Sequence, residues 1–417
     1  MYKFSKSRVL SGLGLGLGLC LFLLSLCSQM GVHAQTSKPT AQELVQNTAK
    51  QTLTAENQKK PKRQKHPLND SDVVFHFSSL GDSRTDSRIP GTSEQDKRWL
   101  TASPVLSRVI KEISNSRSQV LFFNGDMIMG YAKDSLDNER QYAFWRGMMA
   151  TLMESGTYVM PVPGNHEVQM PTKTPEGSVK IAQPYLEKQW RENMGDLIID
   201  INRWNQIVKK PITHWDINNT STPELDKVQT VQTQLNYAFD VGQIHFAVVN
   251  TDPVGSDNVV SSSWLLRDFE QAKARGANTF LVFGHKPPFT YFPEVGGKKE
   301  ADGLDVKPAE RDAFWSVIES YGATYFCGHE HVYDASQPLK SQGGKSWQII
   351  VGSGGSPFSV KKDDARNPKD RMYAWADVKV RKNGALNVQI LGFDENLGPT
   401  QVIAKWTIQP SAVNAFH

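Results

Sequence analysis

The chain has 417 residues, of which 39% are hydrophobic and 22% are charged, and its formal net charge is +4. This length and apolar content exclude a protein that is disordered or fibrous throughout, and they allow one α/β domain of roughly 250 to 350 residues. The small net charge gives no expectation of a nucleic-acid partner.

The first 34 residues are expected to be a signal peptide. Basic residues precede an apolar stretch from 9 to 26, and small residues end at Ala34, so we expect cleavage after Ala34. Two other interpretations stay open. The apolar stretch is long enough to remain as an uncleaved membrane anchor, and Cys27 follows a crude lipobox that would direct lipid attachment. The expected location is periplasmic or secreted, with a lipid-anchored form as the alternative.

The mature chain differs from the precursor in charge and cysteine content. Removing residues 1–34 takes away three positive charges and no acids, so the net charge falls from +4 to +1, and Cys327 becomes the only cysteine. One cysteine forms no internal disulfide. Residues 35–70 are polar, lack an apolar period and predict a disordered tether. We expect one domain at 71–410, with a cap insertion at 168–236.

From residue 73 onward, strand and helix patterns alternate. The expected elements of the first half are the strands 73–80, 120–124 and 158–162 and the helices 97–113 and 137–154. Those of the second half are a hairpin at 237–250, helices at 264–274 and 309–321, and strands at 279–283, 324–327, 347–351, 374–380, 386–391 and 402–408. The last four strands are expected to complete a second sheet. The predicted fold is α/β, with two stacked mixed β-sheets flanked by helices in four αββα layers.

Acids, amides and histidines follow the strand patterns directly. These residues are Asp82, Asp126, Asn165, His285, His329 and His331. Ligands bind beyond the carboxyl ends of strands in open α/β sheets, and these side chains suit a pair of divalent metal ions. His329 and His331 are two residues apart, so in an extended segment both face the same side.

The ordered set resembles the calcineurin-like metallophosphoesterase superfamily, and most closely its purple acid phosphatase branch. The similarity extends over 73–393 and includes the segments 237–242 and 328–333 and the glycine-rich run 352–355. The resemblance implies that Asp126 bridges two ions. Asn165, His285 and His329 would complete one metal site, while Asp82 and His331 would serve the other, which we call the first site.

The implied chemistry is phosphoester hydrolysis. A hydroxide held by two ions, Mn, Fe or Zn, would attack phosphorus in line without a phosphorylated intermediate on the protein. His166 is the expected catalytic group that protonates the leaving oxygen or steadies the developing charge. Glu167 either orients His166 or is an exposed turn residue.

Two positions depart from the family pattern. Arg84 stands where the superfamily commonly has a histidine ligand, and Met129 stands where purple acid phosphatases have a tyrosine ligand. Arginine has no lone pair to give to a metal. Tyr131, Asp86 or water would fill the gap, or else the first site is weak. We expect water or a weak site, with Arg84 either clamping phosphate or pairing with a carboxylate at the surface.

Other residues receive simpler interpretations. A small cap or a local core is predicted from four aromatic residues of the insertion, Tyr185, Trp190, Trp204 and Trp215. A mobile loop near His285 is predicted at residues 289–307. Cys327 is expected in the core. His76, His214 and His245 are expected to be structural or surface residues.

The sequence therefore predicts an exported phosphoester hydrolase with a small-molecule substrate, a phosphomonoesterase first. The alternatives are a phosphodiesterase or nucleotide hydrolase, and a non-catalytic phosphate-binding or interaction protein that has lost one metal site. The sequence sets no oligomeric state.

Overall fold

The computed structural model describes residues 70–89, 92–132, 134–175, 177–291 and 303–410. The expected signal peptide, residues 35–69 of the expected tether and residues 292–302 of the expected mobile loop lie outside these ranges. Within the described part of the chain, no helix has the length and apolar character needed to cross a bilayer.

The described residues form fourteen strands and nine α-helices. The strands are β1 (Val73–Leu80), β2 (Val120–Asn124), β3 (Tyr158–Val162), β4 (Gln169–Thr174), β5 (Gly177–Ala182), β6 (Tyr237–Val241), β7 (Ile244–Val248), β8 (Thr279–Phe283), β9 (Thr324–Cys327), β10 (Tyr333–Ser336), β11 (Trp347–Val351), β12 (Tyr373–Arg381), β13 (Leu386–Phe393) and β14 (Gln401–Ile408). The helices are α1 (Glu94–Trp99), α2 (Ser103–Ser116), α3 (Ser135–Glu154), α4 (Asn165–Val168), α5 (Pro184–Met194), α6 (Ile201–Ile207), α7 (Pro223–Asp226), α8 (Ser262–Ala274) and α9 (Pro308–Tyr321).

Two six-stranded mixed sheets carry the fold. The first has the order β14-β13-β12-β1-β2-β3, in which β1, β2 and β3 are parallel and the remaining neighbours are antiparallel. The second has the order β10-β11-β9-β8-β7-β6, with β7, β8, β9 and β11 parallel. Strands β4 and β5 form a separate hairpin. Parallel strands such as β2 are buried along their whole length because both of their faces are covered.

The sheets stack face to face through aromatic side chains. Phe122 on β2 lies on Phe283 of β8 with ring centroids 3.7 Å apart, and Phe77 on β1 meets Phe326 of β9 edge to face at 5.5 Å. Apolar residues of α2 and α3 belong to the same core, whereas α8 and α9 enclose a second core against the other sheet. The predicted four-layer αββα arrangement is therefore confirmed.

Two expectations about these elements were wrong. The predicted helix 97–113 is two helices, because Leu100 adopts a left-handed conformation (φ 53°) that ends α1 and Pro104 starts α2 in its first turn. The strands β12, β13 and β14 do not complete the second sheet. They extend the first sheet, since β12 pairs antiparallel with β1.

The insertion at 168–236 joins the main core instead of forming a separate aromatic cap. Trp190 and Trp204 are fully buried, and Trp204 stacks on Phe75 of β1. Tyr185 is 45% exposed. The β4–β5 hairpin lies beside the strand ends, where Lys180 Nζ is 5.5 Å from the centre of the Tyr131 ring.

Candidate metal centre

The six predicted ligands lie at the carboxyl ends of five strands. Asp82 follows β1, Asp126 follows β2, and Asn165 opens α4 directly after β3. The three histidines come from the other sheet: His285 follows β8, while His329 and His331 follow β9. The stacking of the two sheets brings these ends to one edge of the molecule, which is where α/β sheets bind ligands.

The backbone at this edge is unusual in three places. Asp82, Asp126 and His329 adopt left-handed conformations, with φ of 62°, 53° and 70°. Residues with a side chain rarely take such values, and outliers of this kind cluster at functional sites. Gly125 (φ 83°) has no room for a Cβ, which would lie 2.6 Å from His285 Nδ1. The chain is therefore turned sharply so that carboxylate and imidazole groups approach each other.

Four ligand atoms converge tightly on one side of the edge. Asn165 Oδ1 is 2.9 Å from His285 Nε2 and 3.0 Å from His329 Nδ1. His285 Nε2 is also 3.1 Å from His329 Nδ1 and 3.1 Å from Asp126 Oδ1. Ligands bound to one ion at about 2.0 to 2.2 Å lie roughly 3 Å from each other. His285 Nε2 carries at most one hydrogen and cannot form hydrogen bonds to all three neighbouring atoms at once. The four ligand atoms therefore fit a bound cation.

Neighbouring groups fix the orientation of these ligands. His285 Nδ1 is 2.8 Å from the Asn124 carbonyl oxygen, which accepts its hydrogen and turns Nε2 toward the cluster. The Asn165 amide donates from Nδ2 to the Tyr131 hydroxyl at 2.9 Å, so Oδ1 faces the histidines.

Asp82 and His331 form the other side of the centre. One oxygen of the buried Asp82 carboxylate accepts the His329 backbone N–H at 2.9 Å. The second oxygen, Oδ1, accepts no hydrogen bond and lies 3.5 Å from His331 Nε2. Asp82, Asp126 and His285 each offer a ligand atom within 4.8 Å of the others, so carboxylates from both sides lie close enough to hold a metal ion together.

Arg84 lies between these two sides. Its Nε donates to Asp126 Oδ2 at 3.0 Å, and its Nη2 is 3.4 Å from His331 Nε2. The side chain is only 16% exposed. Arg84 does pair with a carboxylate, but the interpretation of a surface arginine was wrong because the guanidinium lies inside the centre.

Neither Tyr131 nor Asp86, the two side chains left open as alternatives for the ligand gap, fills it. Tyr131 contacts Asn165 through its hydroxyl and packs on His166, with ring centroids 4.2 Å apart. Burial raises the pKa of Tyr131 far above its ordinary value, so the phenol stays protonated. Asp86 binds the Arg88 guanidinium instead, and this pairing lowers the pKa of Asp86 to about 2.

His166 is buried beside Asp126. Its Nδ1 is bonded to the Met129 carbonyl oxygen, and its Nε2 lies 3.7 Å from Asp126 Oδ2. Burial lowers the pKa of His166 well below its usual value, despite the opposing charge of Asp126. The imidazole is therefore neutral, with its Nε2 lone pair turned toward the centre.

Glu167 has a role that the sequence did not suggest. Its carboxylate accepts the backbone N–H groups of residues 126, 127 and 128 and of Gly164 at 2.8 to 3.2 Å. It is only 1% exposed, so the interpretation of Glu167 as an exposed turn residue was wrong, and its hydrogen bonds go to backbone N–H groups. A glutamate three residues after Gly164 at the start of α4 was a capping signal, although its bonds to the Asp126 turn were not visible.

Charges in the centre shift several pKa values. Burial alone would raise the pKa of Asp126, but the positive charges of His285 and Arg84 outweigh burial and hold it well below its ordinary value. Burial opposes the charged form of His285, yet Asp126 raises its pKa to about 9. Burial and then Arg84 lower the pKa of His331 to about 3. Asp126 is thus an ionised carboxylate next to the positively charged Arg84 and His285 side chains.

Among the described residues, three further histidines and one cysteine lie away from the centre. His76 pairs with Asp377 at 2.9 Å, His214 is exposed, and His245 is buried between two carboxylates. Cys327 is buried in the core beside Ile349, as expected.

Comparisons with known proteins agree with this geometry. A family model described as calcineurin-like phosphoesterase matches residues 102–333, more than half of the chain. No curated protein matches significantly.

Similar solved structures include a purple acid phosphatase from yellow lupin (Lupinus luteus) seeds, with 14% identity, a TM-score of 0.49 and coverage of 82% of this chain and 55% of that one. The chain thus spans about half the length of the lupin protein. A dimetal phosphatase from Danio rerio shows 13% identity, a TM-score of 0.46 and coverage of 82% and 100%. A Plasmodium protein described as the anchor in the inner membrane complex shows 12% identity, a TM-score of 0.42 and coverage of 81% and 89%.

Proposed function

The chain belongs to the calcineurin-like phosphoesterase family, and we propose that it is an exported metallophosphoesterase that hydrolyses small phosphomonoesters. The family implies a dinuclear metal centre, and the cluster around Asp126 is a candidate for it. The four ligand atoms of Asp126, Asn165, His285 and His329, each within 3.1 Å of another, carry the proposal.

These donors match the expected chemistry. Carboxylate, amide and imidazole ligands suit Mn, Fe or Zn. A bound ion would supply Lewis acidity and would lower the pKa of water toward neutrality. Asp126 supplies negative charge, Glu167 holds the turn that presents Asp126, and Asn124 holds the tautomer of His285.

Arg84 and His166 are the proposed catalytic side chains. The guanidinium of Arg84 has five N–H donors, and those not facing Asp126 and His331 are available for phosphoryl oxygens. His166 Nε2 carries a lone pair in the absence of substrate. Delivering a proton to the leaving oxygen requires His166 to take one up when the phosphate dianion binds, since a nearby anion raises the pKa of imidazole.

A substrate comparison tests this proposal. Purified protein is loaded with Mn²⁺, Fe²⁺ or Zn²⁺ and assayed with p-nitrophenyl phosphate and bis(p-nitrophenyl) phosphate. We expect faster turnover of the monoester and loss of turnover in Asp126→Asn and His329→Ala. Faster turnover of the diester would instead favour the phosphodiesterase alternative.

A second candidate function rests on Arg84. Arg84 contacts both Asp126 and His331, which are expected ligands of the first ion, so a protein side chain occupies that half of the centre. This arrangement favours a phosphate-binding or interaction protein without turnover. Isothermal titration with inorganic phosphate, beside a broad panel of phosphoesters, separates the two. Phosphate binding without hydrolysis of any ester would establish the binding protein.

Export is proposed from residues 1–34. The basic, apolar and small-residue order supports cleavage after Ala34 and a periplasmic or secreted protein, with a lipid anchor at Cys27 as the alternative. N-terminal sequencing of the mature protein checks this. A chain starting at Gln35 supports cleavage, whereas a lipidated chain starting at Cys27 supports the anchor.

A further inference from the structure

The two departures from the family pattern meet at one place in the structure. Arg84 occupies the space between Asp126 Oδ2 and His331 Nε2, which the resemblance assigns to the first ion. Met129, which stands where a tyrosine ligand is expected, contacts the same guanidinium, with its sulfur 3.9 Å from Arg84 Nη1. Arg84 stands in place of a histidine ligand, and Met129 packs its apolar side chain against the Arg84 guanidinium.

The lone pairs that would bind a first ion already face Arg84. The carbonyl oxygen of Pro357 accepts a hydrogen from His331 Nδ1 at 2.5 Å, so His331 Nε2 bears the lone pair and points at the guanidinium. Asp126 Oδ2 accepts from Arg84 Nε. Only Asp82 Oδ1 stays open, and one carboxylate oxygen does not hold a divalent ion by itself.

The backbone keeps Arg84 in this position. Flanking residues bond to the loop before α2, through Thr85 N–H to the Leu100 carbonyl at 2.8 Å and Ala102 N–H to the Ser83 carbonyl at 2.9 Å. The Arg84 carbonyl oxygen accepts from the Ser356 hydroxyl at 2.8 Å. The guanidinium is therefore built into the centre, and it stays protonated at every physiological pH.

We infer that Arg84 takes the place of the first metal ion, so that the centre binds one ion per chain and uses the guanidinium as its second positive charge. The inference rests on the proposed function, because it assumes that Asp126, Asn165, His285 and His329 bind an ion. A dication at the first position would lie in contact with a fixed positive charge. Asp82 then acts as a positioning residue that holds the His329 backbone.

Metal counting tests the inference with two histidines of the same motif. The protein is loaded with Mn²⁺ or Zn²⁺, gel-filtered and measured by inductively coupled plasma mass spectrometry. We expect one ion per chain in the unmodified protein, close to zero in His329→Ala and one in His331→Ala. Two ions per chain in the unmodified protein, with each histidine variant losing one, would overturn the inference.

The reverse experiment restores a first site. Arg84→His should raise the count to two ions per chain, and the double variant Arg84→His with His331→Ala should return it to one. In Mn²⁺-loaded protein, electron paramagnetic resonance should show an isolated six-line signal before the substitution and a spin-coupled pair after it. Arg84→Ala serves as a second variant should Arg84→His fail to fold. A count that stays at one in a folded variant would show that Arg84 does not exclude the ion.

The outcomes also separate this inference from the proposed function. Two ions with ester hydrolysis would contradict only the single-ion centre. No bound ion and no hydrolysis under any metal would contradict the proposed function, because the Asp126 cluster would then have no cation to hold.

Discussion

Two regions of the molecule bury histidine beside carboxylate, and they do so in different ways. In the candidate centre, His285 gives one nitrogen to a backbone carbonyl and turns the other toward Asp126, Asn165 and His329. In the second region, which we call the His245 cluster, Asp240 and Asp268 bind both nitrogens of His245 at 2.6 and 2.7 Å, and Arg275 completes the cluster on Asp240.

The two histidines differ in the partners of their ring nitrogens. An imidazole with a carboxylate on each nitrogen carries two hydrogens, so His245 is a cation without a free lone pair and acts as a structural ion pair. One nitrogen of His285 instead faces three other candidate ligand atoms, those of Asp126, Asn165 and His329. The convergence of several candidate ligand atoms on one nitrogen, more than burial, therefore distinguishes a candidate ligand from a structural histidine.

Replacing each histidine by alanine tests whether His285 binds an ion and His245 does not. His285→Ala should lose the bound ion and reduce phosphomonoesterase activity by more than about 100-fold, since loss of a partner of a ligand alone already costs 10- to 100-fold. His245→Ala should keep the metal content and lose thermal stability. Metal analysis and a melting curve on both variants measure this. Equal loss of metal in the two would erase the distinction between the regions.

The second prediction concerns the support of the centre. Glu167→Ala leaves four buried N–H groups without their acceptor, and we expect the free energy of unfolding to fall by about 3 to 5 kcal/mol. The apparent Kd for Mn²⁺ should rise by more than about 10-fold, because the turn that carries Asp126 loosens.

A matched control for Glu167 exists in the insertion. Glu187 is also a buried carboxylate, and it accepts from Thr230, Gln232 and the Val254 N–H at 2.7 to 3.2 Å, away from the six candidate ligands. Glu187→Ala should lower the urea midpoint without changing the Kd for Mn²⁺. A similar change of Kd in both variants would mean that general destabilisation, and not the Asp126 turn, weakens the centre.

The smallest expected effect is a pH dependence of stability. Burial disfavours the charged form of His245, but the hydrogen bonds to Asp240 and Asp268 outweigh it, and the pKa of His245 is raised. A raised folded-state pKa adds stability that is fully present below the unfolded value of about 6.5 and is lost as the pH rises through the folded value. Urea unfolding of His245→Gln from pH 6 to 9 should show a flatter decline than the parent protein. Parallel curves would contradict a charged His245.

The sequence predicted those parts of the molecule that depend on local pattern. The position of each candidate ligand directly after a strand could be predicted, because a short apolar run and a glycine-containing turn are visible within a few residues, as at 120–126. The break between α1 and α2 was also visible, since Pro104 is typical of a helix start.

The rest depended on contacts between distant residues. Whether β12 pairs with β1 or with the second sheet is decided by the packing of whole sheets, and alternation along β12 is the same in either position. Glu167 bonds to backbone 39 to 41 residues away, and no side-chain pattern marks a backbone partner. Arg84 was recognised as a departure, but its contact with His331 spans 247 residues.

The pairing of β1 with β12 has a consequence for how the protein matures. The strand that presents Asp82 is bordered by a segment close to the end of the described chain, and its His76 meets Asp377 across 301 residues. Synthesis runs from the N-terminus, so β1 pairs with β12 only after residues 373–381 have emerged, and such long-range pairing is slow. The candidate centre, which includes Asp82, is therefore completed only after β12 has been synthesised.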